Sequence, residues 1–267
     1  MMTKGLHSVV LLPTYNHAPL LAHCLSLCDE LYPQPDKYIF FENNSKDNTM
    51  EVIRSFKHPK EIIRMWFIDD AVKKLGNPYA IIGIARQYLL KRARQLNPEY
   101  VIFIDDDILL MNPDFITRII KHKKDIVGAP YLRPFPEGMF IASKWKRKGK
   151  KKLWFKSKCK GFQKVHVTSA GCMCIRRRVF QDKRINFYPI IWGEKKASED
   201  FGYCMRAHKY GYKVFIDCTI TVGHYAQVYS YKPWQIIRDE KGEAKGYIEF
   251  KYGNETKLTK EALNMTK

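Results

Sequence analysis

Residues 100–110, YVIFIDDDILL, decide the fold, because an apolar run here leads directly into three carboxylates. The first five residues form a short, continuous run rich in β-branched and aromatic side chains, which is typical of a strand buried on both faces. Asp105, Asp106 and Asp107 follow without a break. Adjacent carboxylates repel one another unless a cation or a proton compensates them. The stretch therefore predicts a functional site at the end of this strand.

Strand-like and helix-like segments alternate on both sides of this stretch. Short apolar runs predict strands, and apolar residues spaced three and four apart predict helices. The predicted strands cover residues 8–13, 38–41, 62–68, 100–104 and 125–129, and the predicted helices cover residues 20–31, 46–56, 79–96 and 113–122. This order predicts an α/β fold with a largely parallel sheet and helices on both faces.

Polar segments follow four of the predicted strands. They are PTYNH at 13–17, ENNSKDNT at 42–49, DDAVKKLGN at 69–77 and the three aspartates. The carboxyl ends of parallel strands meet along one edge of a sheet, and ligands of α/β proteins bind there. We therefore expect these segments to form one polar rim.

The chain is strongly basic. Its 267 residues include 47 Lys and Arg against 27 Asp and Glu, a formal net charge of +20. This charge favours a polyanionic partner such as nucleic acid, a phosphate-rich substrate or an acidic membrane surface. The apolar runs are much shorter than the roughly 20 residues that cross a bilayer, and the run before Pro13 is too short for a secretory signal. We expect a cytoplasmic protein without a transmembrane segment.

The cysteines predict no disulfide framework. They form no CxxC pair, and an odd number in a chain of this length argues against systematic pairing. We expect buried reduced thiols, with a zinc site as the lesser alternative. The seven are Cys24, Cys28, Cys159, Cys172, Cys174, Cys204 and Cys218.

Six stretches between residues 6 and 225 carry a family resemblance. They are the opening strand into PTYN, ENNSKDNT, GIARQYLL at 83–90, FIDDD at 103–107, SAGCMCIRRRVF at 169–180 and SEDFGYCMRAHKYGYKVFIDCTITVGH at 198–224. Together they resemble the nucleotide-sugar glycosyltransferases of the GT-A fold, closest to the family-2 group, with small phage and viral enzymes among the similar proteins. The resemblance implies a Rossmann-like, mostly parallel sheet with helices on both faces and mixed strands on the acceptor side.

The resemblance also implies a divalent cation. A nucleoside diphosphate would be repelled by the aspartates alone, and a cation between them removes this repulsion. By resemblance, Asp105, Asp107 and His224 bind the metal, and Asp105 and Asp106 lie against the nucleotide sugar. Oxygen ligands suit Mg²⁺ or Mn²⁺, and the histidine favours Mn²⁺. Without the resemblance, the aspartates would read as an acidic helix start before Pro113 and the histidine as a structural residue.

Further rim residues are expected to hold the donor. Glu42 would accept hydrogen bonds from the nucleobase, but the family more often has Asp there, so the resemblance favours a UDP-sugar without fixing the base. Arg86 would pair with the diphosphate, or else form a surface salt bridge. The residues expected at the nucleotide sugar, besides Asp105 and Asp106, are Pro13, Thr14, Tyr15, Glu42, Asn44 and Arg86.

The SED sequence at 198–200 opens a predicted helix and supplies the expected catalytic base. Inverting transfer needs a carboxylate within hydrogen-bond reach of the acceptor hydroxyl, and we expect Asp200 in that role. Taken alone, Ser-Glu-Asp would read as a helix N-cap. Retaining GT-A enzymes also carry an Asp-x-Asp and a closing histidine, so retention stays an alternative to inversion.

Residues 144–160, KWKRKGKKKLWFKSKCK, are the most unusual segment of the chain. Ten Lys or Arg are interleaved with three large aromatic residues, which favours contact with nucleic acid. The alternative is a solvated basic hairpin turning at Gly149. Arg176, Arg177 and Arg178 add to the positive charge. The expected acceptor-binding residues are Trp145, Lys146, Arg147, Trp154, Gly171 and Glu199.

We therefore favour a polyanionic acceptor. The most specific hypothesis is a hydroxymethylated pyrimidine in DNA. A cell-surface polysaccharide, a lipid at an anionic leaflet or a protein is the alternative acceptor. A two-metal nuclease and a non-catalytic nucleic-acid-binding module are the alternatives of another class. We expect one domain, with a donor half at 1–132, an acceptor half at 133–224 and a tail or lid at 225–267.

Overall fold

A computed structural model describes residues 7–65, 79–133, 139–145, 152–156, 160–192, 195–224, 234–238, 244–251 and 255–258. The strands within them are β1 (Ser8–Thr14), β2 (Lys37–Glu42), β3 (Lys60–Arg64), β4 (Tyr100–Ile104), β5 (Ile108–Leu110), β6 (Ile126–Gly128), β7 (Leu132–Arg133), β8 (Met139–Trp145), β9 (Lys152–Lys156), β10 (Phe162–Val165), β11 (Val167–Thr168), β12 (Cys172–Arg176), β13 (Ile190–Trp192), β14 (Lys195–Ala197), β15 (Val214–Asp217), β16 (Val222–His224), β17 (Trp234–Arg238), β18 (Ala244–Lys251) and β19 (Glu255–Leu258). The helices are α1 (Ala18–Asp29), α2 (Thr49–Ser55), α3 (Tyr79–Leu96), α4 (Phe115–Ile120), α5 (Arg177–Phe180) and α6 (Glu199–Lys209).

Eight strands form one sheet, in the spatial order β10-β15-β6-β12-β4-β1-β2-β3. β1 pairs in parallel with β2 and β4, β2 with β3, and β15 with β6. β12 runs antiparallel to β4 and β6, and β10 runs antiparallel to β15. Six of the eight strands therefore share one direction, which confirms the predicted α/β fold with a mostly parallel sheet.

The sheet is buried on both faces, as the continuous apolar run of β4 predicts. Successive side chains of a strand point to opposite faces. Val9 and Leu11 of β1 accordingly belong to one core, with residues of α3 and α6, and Val10 and Leu12 belong to the other, with residues of α1 and α4. A shift of one residue along the strand would send each side chain to the opposite core. Packing on the two faces therefore fixes the register of the strand.

Most element boundaries lie close to the predicted ones, and α3 and β4 match them. Helix α2 begins at Thr49, later than the expected residue 46, because Asp47 holds a turn before the helix. Its carboxylate accepts hydrogen bonds from the backbone N–H of Thr49 at 3.1 Å and from that of Ala18 at 2.9 Å. Strand β3 begins at Lys60 rather than residue 62, and residues 66–68 of its predicted range lie outside the described residues.

Two short strands beside the aspartates were not predicted. β5 follows Asp107 directly and pairs antiparallel with β16, so that His224 lies opposite Ile108. Each strand has three residues, which is too short for a recognisable alternation of apolar and polar residues. This pairing brings the end of the SED-to-GH region back to the aspartates.

The basic segment contains a β-hairpin. β8 and β9 are antiparallel, with Trp145 opposite Lys152 and Trp154 opposite Ser143. Lys146, Arg147 and the expected turn at Gly149 lie outside the described residues. Farther along, β17, β18 and β19 form an antiparallel sheet within the expected tail. In the part of the chain that the structure describes, no helix is both long and apolar enough to cross a membrane.

The expectation of reduced thiols holds at five cysteines and is wrong at one. Cys218 is disulfide-bonded, and Cys159 lies outside the described residues. The odd count argued against systematic pairing but could not exclude a single bond. The free, buried cysteines are Cys24, Cys28, Cys172, Cys174 and Cys204.

Candidate active site

The three aspartates lie at the carboxyl end of β4, on the edge of the sheet where the polar rim was predicted. The backbone N–H of Asp105 donates to the carbonyl of Gly171 on the neighbouring chain segment at 2.9 Å, and the N–H of Ile108 donates to the carbonyl of Asp105 at 3.1 Å. The chain therefore turns immediately after the strand. This turn sends the three carboxylates to three different partners.

Asp106 is held by two residues at the end of β1. The Thr14 hydroxyl donates to its Oδ2 at 2.6 Å, and the His17 Nδ1 lies 3.0 Å from its Oδ1. A hydrogen bond to Asp106 raises the pKa of His17, since it stabilises the protonated imidazole. Asp106 is 6% exposed, so its carboxylate mainly joins β1 to β4. His17 was not among the residues predicted for the site.

Asp105 is bound by a buried arginine. Arg86 of α3 places its Nη2 at 2.9 and 2.8 Å from the two carboxylate oxygens. Burial raises the pKa of Asp105 to about 6, Arg86 opposes this rise, and the other two aspartates add to it. The guanidinium also lies 5.8 Å from the centre of the Phe103 ring. Arg86 is 3% exposed, which excludes the alternative of a surface salt bridge.

The same arginine reaches across to α6. Its Nε lies 3.4 Å from Oε1 of Glu199. Burial lowers the pKa of Arg86, but the adjacent Asp105 and Glu199 carboxyl groups outweigh it and hold the guanidinium charged. Both Nε and Nη1 are buried without a hydrogen-bond partner among the described residues. Arg86 therefore links the end of β4 to the start of α6 and still has hydrogen-bond capacity for a ligand.

Glu199 and Asp200 begin α6 and have different surroundings. Burial raises the pKa of Glu199 to about 8, Asp200 adds to the rise, and Arg86 opposes it. Asp200 is half-buried, and its Oδ1 accepts hydrogen bonds from the Ser198 hydroxyl and from the backbone N–H of Phe201, the latter at 2.6 Å. Among the described residues, these contacts reach Oδ1 and leave Oδ2 for an incoming hydroxyl.

Asp107 pairs with His224 through the β5–β16 pairing. His224 Nε2 lies 3.4 Å from Asp107 Oδ2, and the imidazole stacks on Tyr131 with ring centres 4.7 Å apart. Burial lowers the pKa of His224, but Asp107 and Asp105 outweigh it and raise the pKa. Burial raises the pKa of Asp107, but the neighbouring His224 lowers it by more. The Asp107 carboxyl group therefore stays ionised. An anionic oxygen and an imidazole thus lie side by side in a half-buried site.

The donor atoms at this site fit a divalent cation that the substrate helps to bind. Asp107 Oδ1 and His224 Nδ1 are buried and have no hydrogen-bond partner among the described residues. Within those residues, no group of three or more His, Cys, Asp or Glu is arranged to hold a metal ion. Mg²⁺ and similar ions are often bound by one or two protein ligands together with substrate phosphates and water. The site therefore fits a metal ion that the protein binds together with the phosphates of the substrate and with water.

Gly171 is required where it stands. A Cβ at this position would lie 2.2 Å from the Tyr131 hydroxyl oxygen and 2.8 Å from Asp105 Oδ2. The Tyr131 hydroxyl is in turn 2.6 Å from the Ser169 hydroxyl. The absence of a side chain lets the acceptor-side strand approach the aspartates. Gly171 thus shapes the site, whereas contact with an acceptor stays a prediction.

Glu42 is more buried than its predicted role requires. It is 0% exposed, its Oε2 accepts a hydrogen bond from Arg64 Nε at 2.8 Å, and its Oε1 accepts one from the backbone N–H of Ser45. One oxygen therefore holds the turn after β2, and the other binds the end of β3. The adjacent Asn43 has a buried Oδ1 without a partner among the described residues. Asn43 was not predicted, and it offers an acceptor beside Glu42.

The structure brings most predicted site residues into one connected region. Direct contacts join Thr14 to Asp106, Arg86 and Gly171 to Asp105, Arg86 to Glu199, and Asp107 to His224. Asp200 follows Glu199 in the chain. Tyr15 is 46% exposed at the rim. Asn44 adopts a left-handed backbone conformation with φ of 54°. The side chains of Trp145 and Trp154 and all atoms of Lys146 and Arg147 lie outside what the structure describes. Pro13 lies in β1 opposite Phe41.

Sequence reasoning missed His17, Tyr131 and Ser169. His17 contacts a residue 89 positions away and Tyr131 one 38 positions away. Contacts of this kind leave no local pattern. The one available signal for His17 was its place in PTYNH, directly after a strand of the polar rim.

Comparison with known structures places the fold among glycosyltransferases. The structure of S. aureus TarS matches with a TM-score of 0.52 at 18% identity, over 79% of this chain and 35% of TarS. Residues 1–349 of TarS in complex with UDP match with a TM-score of 0.52 at 18% identity, over 79% of this chain and 57% of that fragment. A197 from STIV matches with a TM-score of 0.52 at 11% identity, over 95% of this chain and 98% of A197. The chain thus spans well under two thirds of the TarS proteins, and the likeness establishes the GT-A fold.

The family is established by the sequence itself. The model of the family described as Glycosyl transferase family 2 matches residues 9–183. This range contains β1 to β4, the three aspartates and the glycine-containing segment before β12, and it covers well over half of the 267 residues. The chain belongs to glycosyl transferase family 2.

Proposed function

We propose that this glycosyltransferase moves a sugar from a nucleoside diphosphate sugar, with a uridine nucleotide favoured, to an acceptor hydroxyl with inversion at the anomeric carbon. The observation that carries the proposal is the link made by Arg86. It joins Asp105, on the side where the diphosphate is expected, to Glu199, the residue before the expected base. The groups for donor and acceptor therefore belong to one continuous site.

Asp200 is the proposed general base. Its Oδ1 is fixed by Ser198 and by the backbone N–H of Phe201, which orients the carboxylate. In the reaction, the acceptor O–H gives its proton to Asp200 as the oxygen forms a bond to the anomeric carbon. The bond from that carbon to the diphosphate oxygen breaks, and the nucleoside diphosphate leaves with the electron pair. Placing a base within hydrogen-bond reach of the hydroxyl is what this step requires.

Asp107 and His224, assisted by Asp105, are the proposed protein ligands of a divalent cation, Mn²⁺ or Mg²⁺. When bound, the cation would offset the negative charge that develops on the leaving diphosphate. The unpartnered Nη1 of Arg86 is proposed to donate to the nucleotide sugar in the same region. Thr14 acts through Asp106 by fixing the turn that carries the two metal-binding aspartates.

The nucleobase is proposed to lie at the ends of β1 and β2. Tyr15 offers an exposed ring, and Asn43 Oδ1 offers an unpartnered acceptor next to Glu42. An acceptor there suits the N–H of uracil. The TarS fragment of similar fold was solved in complex with UDP, which supports testing uridine nucleotides first.

For the acceptor, we retain the proposal of a polyanion, with hydroxymethylated pyrimidine in DNA as the form to test first. It rests on the ten cationic and three aromatic residues of 144–160. We also retain the expected cytoplasmic location and the single-domain organisation. The alternative acceptors are a cell-surface polysaccharide, a lipid and a protein. Membership of a glycosyltransferase family decides against the nuclease and the non-catalytic binding module.

The test begins with the donor. The protein is incubated with a panel of sugar nucleotides and Mn²⁺, and the release of nucleoside diphosphate is measured. Slow release from one donor, abolished by a chelator, is the expected result. That donor is then offered with hydroxymethylated DNA, oligosaccharide, lipid and protein in parallel. A hexose or pentose mass increment on the DNA supports hydroxymethylated DNA as the acceptor. An increment on another acceptor alone would show that this acceptor, and not DNA, is the substrate. If no sugar nucleotide is hydrolysed or transferred, the proposed function is wrong.

A further inference from the structure

The pole of the molecule opposite the catalytic rim carries a separate cluster of positive charge. Strand β12 runs antiparallel to β4, so it begins near the aspartates and ends at Arg176, opposite Tyr100. Strands β6 and β15 begin at this same end, with Val214 opposite Ile126. A strand of five residues is about 16 Å long at roughly 3.3 Å per residue. Arg176, Arg177 and Arg178 therefore lie far from Asp105 and do not belong to the catalytic rim.

Four chain segments meet at this pole and supply the cluster. They are the residues before β6, the end of β12 with α5, the turn after α5, and the connection from α6 to β15. All members except Arg176, which is half-buried, are exposed. We call this surface the basal patch, and it consists of Lys123, Lys124, Arg176, Arg178, Lys183, Arg184, Lys209 and Lys213.

Two carboxylates lie within the basal patch, and the patch's own residues already bind both. Asp125 accepts hydrogen bonds from Arg178 Nε at 2.6 Å and from the backbone N–H of Lys213 at 3.0 Å. Asp182 accepts from Arg184 Nε at 2.8 Å. At the border, Glu99 pairs with His7 at 3.1 Å. Eight cationic side chains against two paired carboxylates leave a large positive excess.

The aromatic rings of the basal patch are covered by its own cations. The Arg184 guanidinium lies 4.1 Å from the centre of the Tyr210 ring, and that of Arg178 lies 5.5 Å from the centre of Tyr212. Lys124 lies 5.7 Å from the centre of the Phe215 ring. Proteins that bind single-stranded nucleic acid use open aromatic faces on which bases stack. The basal patch offers cations at fixed positions and does not offer such faces.

We propose that the basal patch binds the anionic headgroup surface of a membrane. The attraction between clustered Lys and Arg side chains and acidic lipid headgroups is additive and independent of the lipid's shape. A surface of phosphate and carboxylate groups matches a patch that has many cations and no base-stacking platform. In the described residues, the large apolar side chains that are exposed, Tyr15, Tyr32, Tyr88 and Tyr188, lie outside the patch. The contact is therefore electrostatic and peripheral.

This attachment has a consequence for the active site. Since the basal patch and the catalytic rim lie at opposite ends of the strands, a membrane at the patch leaves the rim facing the aqueous phase. The membrane then holds the enzyme in place and does not present the acceptor. The inference is independent of the identity of donor and acceptor, because binding through the patch needs neither.

The test is co-sedimentation of the full-length protein with vesicles, without donor or acceptor. One set contains phosphatidylcholine with about one third phosphatidylserine, and the other contains phosphatidylcholine alone. We expect binding to the acidic vesicles at low salt, at least tenfold weaker binding to the neutral ones, and release at high salt because the attraction is screened within about 10 Å at 0.1 M.

A charge-reversal variant assigns the binding to the basal patch. Lys124→Glu, Lys183→Glu and Lys213→Glu together should reduce binding to acidic vesicles by at least tenfold. The matched control reverses exposed cations at the opposite end of the strands, as Lys46→Glu and Lys160→Glu, in the loop after β2 and before β10, and it is compared with the corresponding double change Lys124→Glu and Lys213→Glu. We expect the control to retain most of the binding. Circular dichroism and melting temperature verify that all three variants are folded.

Three results would overturn the inference. The first is that the wild-type protein does not bind acidic vesicles at low salt. The second is that the control variant loses as much binding as the patch variant, which would indicate net charge rather than a surface. The third is that the patch variant loses binding to DNA and keeps binding to vesicles, which would make nucleic acid the partner of this surface. None of these results bears on sugar transfer, which the donor assay tests separately.

Discussion

At the scale of single residues, two neighbouring carboxyl groups of the site have opposite properties. Asp200 is half-buried and oriented through one oxygen, whereas Glu199 is 4% exposed and contacts Arg86. Burial without full compensation favours the neutral form of a carboxyl group. Glu199 therefore holds a proton near neutral pH, whereas Asp200 is the more exposed and oriented carboxyl group of the pair.

The role of Asp200 is tested by Asp200→Asn. The amide keeps the shape of the side chain but cannot accept a proton, so the transfer rate should fall by about 100- to 10,000-fold. Binding of the nucleotide should change little, because the side chain faces the acceptor. Rates are measured with the donor identified by nucleoside diphosphate release. The control is Asp114→Asn, at the exposed position just before α4. A variant that keeps more than a tenth of the wild-type rate would remove Asp200 from the role of base.

The buried Glu199 should make stability depend on pH. Its pKa is raised to about 8 in the folded protein from 4.5. Between these values the folded protein binds a proton that the unfolded chain does not, so this contribution to stability is full below about pH 4.5 and is lost as pH rises to about 8. Within this window, stability should fall by on the order of 1 kcal/mol for each pH unit. Glu199→Gln cannot ionise and should remove the dependence.

The measurement for Glu199 is the free energy of unfolding at several pH values. The wild type should lose more stability than Glu199→Gln between pH 5 and pH 8, while Glu30→Gln, at an exposed position after α1, should follow the wild type. Parallel curves for wild type and Glu199→Gln would show that Glu199 ionises normally in the fold.

The sequence indicated residues that the structure brings together at one edge of the sheet, but it did not indicate their contacts. Asp105 and Asp200 stand at motif positions next to a strand end and a helix start, and local patterns identify such places. The contact of Arg86 with both Asp105 and Glu199 joins α3, β4 and α6, which are far apart in the chain. It depends on how the helices pack on the sheet, and no short-range pattern encodes that.

At the scale of elements, the packing of α3 against the segment before β13 and α6 sets the position of Arg86. Gly83 lies one turn before Arg86 on α3. A Cβ at Gly83 would lie 2.7 Å from the carbonyl oxygen of Phe187 and 3.2 Å from the Cβ of Glu199. The missing side chain thus allows α3 to approach α6 closely enough for Arg86 to contact Glu199.

Gly83→Ala tests this packing, because two effects have opposite signs. Helix propensity alone would stabilise α3 by about 1 kcal/mol, whereas the clash with backbone at 2.7 Å should cost about 1 to 3 kcal/mol. We expect net destabilisation in chemical denaturation, together with a loss of transfer activity as Arg86 moves. Lys91→Ala, exposed on the same helix, should have little effect on either. An increase in stability would show that α3 and α6 have room to separate.

The elements themselves were predictable to different degrees. β4 is a continuous apolar run and α3 is long enough to display a helical period, and the bounds of both were predicted. β5 and β16 have three residues each and exist because they pair with one another. The position of His224 beside Asp107 follows from that pairing. The motif in the sequence indicated His224 as a site residue, but it did not predict where the residue lies.

At the scale of the whole molecule, binding of nucleotide and metal should appear as added stability of the fold. The proposed ligands come from β16, from the turn after β4 and from α3, so a bound complex joins elements that are distant in sequence. A ligand present at one hundred times its dissociation constant stabilises the native state by about 2.7 kcal/mol. For a chain of this size, that corresponds to a rise in melting temperature of roughly 5 to 10 °C.

We expect this rise with UDP and Mn²⁺ together, and a much smaller one with UDP and a chelator or with Mn²⁺ alone. The buried Asp107 Oδ1 without a hydrogen-bond partner among the described residues is the atom that a cation would satisfy, so Asp107→Asn should abolish the joint effect. The amide also relieves the repulsion among the three carboxylates, so the unliganded variant should be at least as stable as the wild type. Asp29→Asn, at an exposed position of α1, is the control and should preserve the rise.

A full rise with UDP in the presence of chelator would contradict the role of the metal. It would show that Arg86 and its neighbours hold the diphosphate without a metal, and the metal would then have no place in the proposed mechanism.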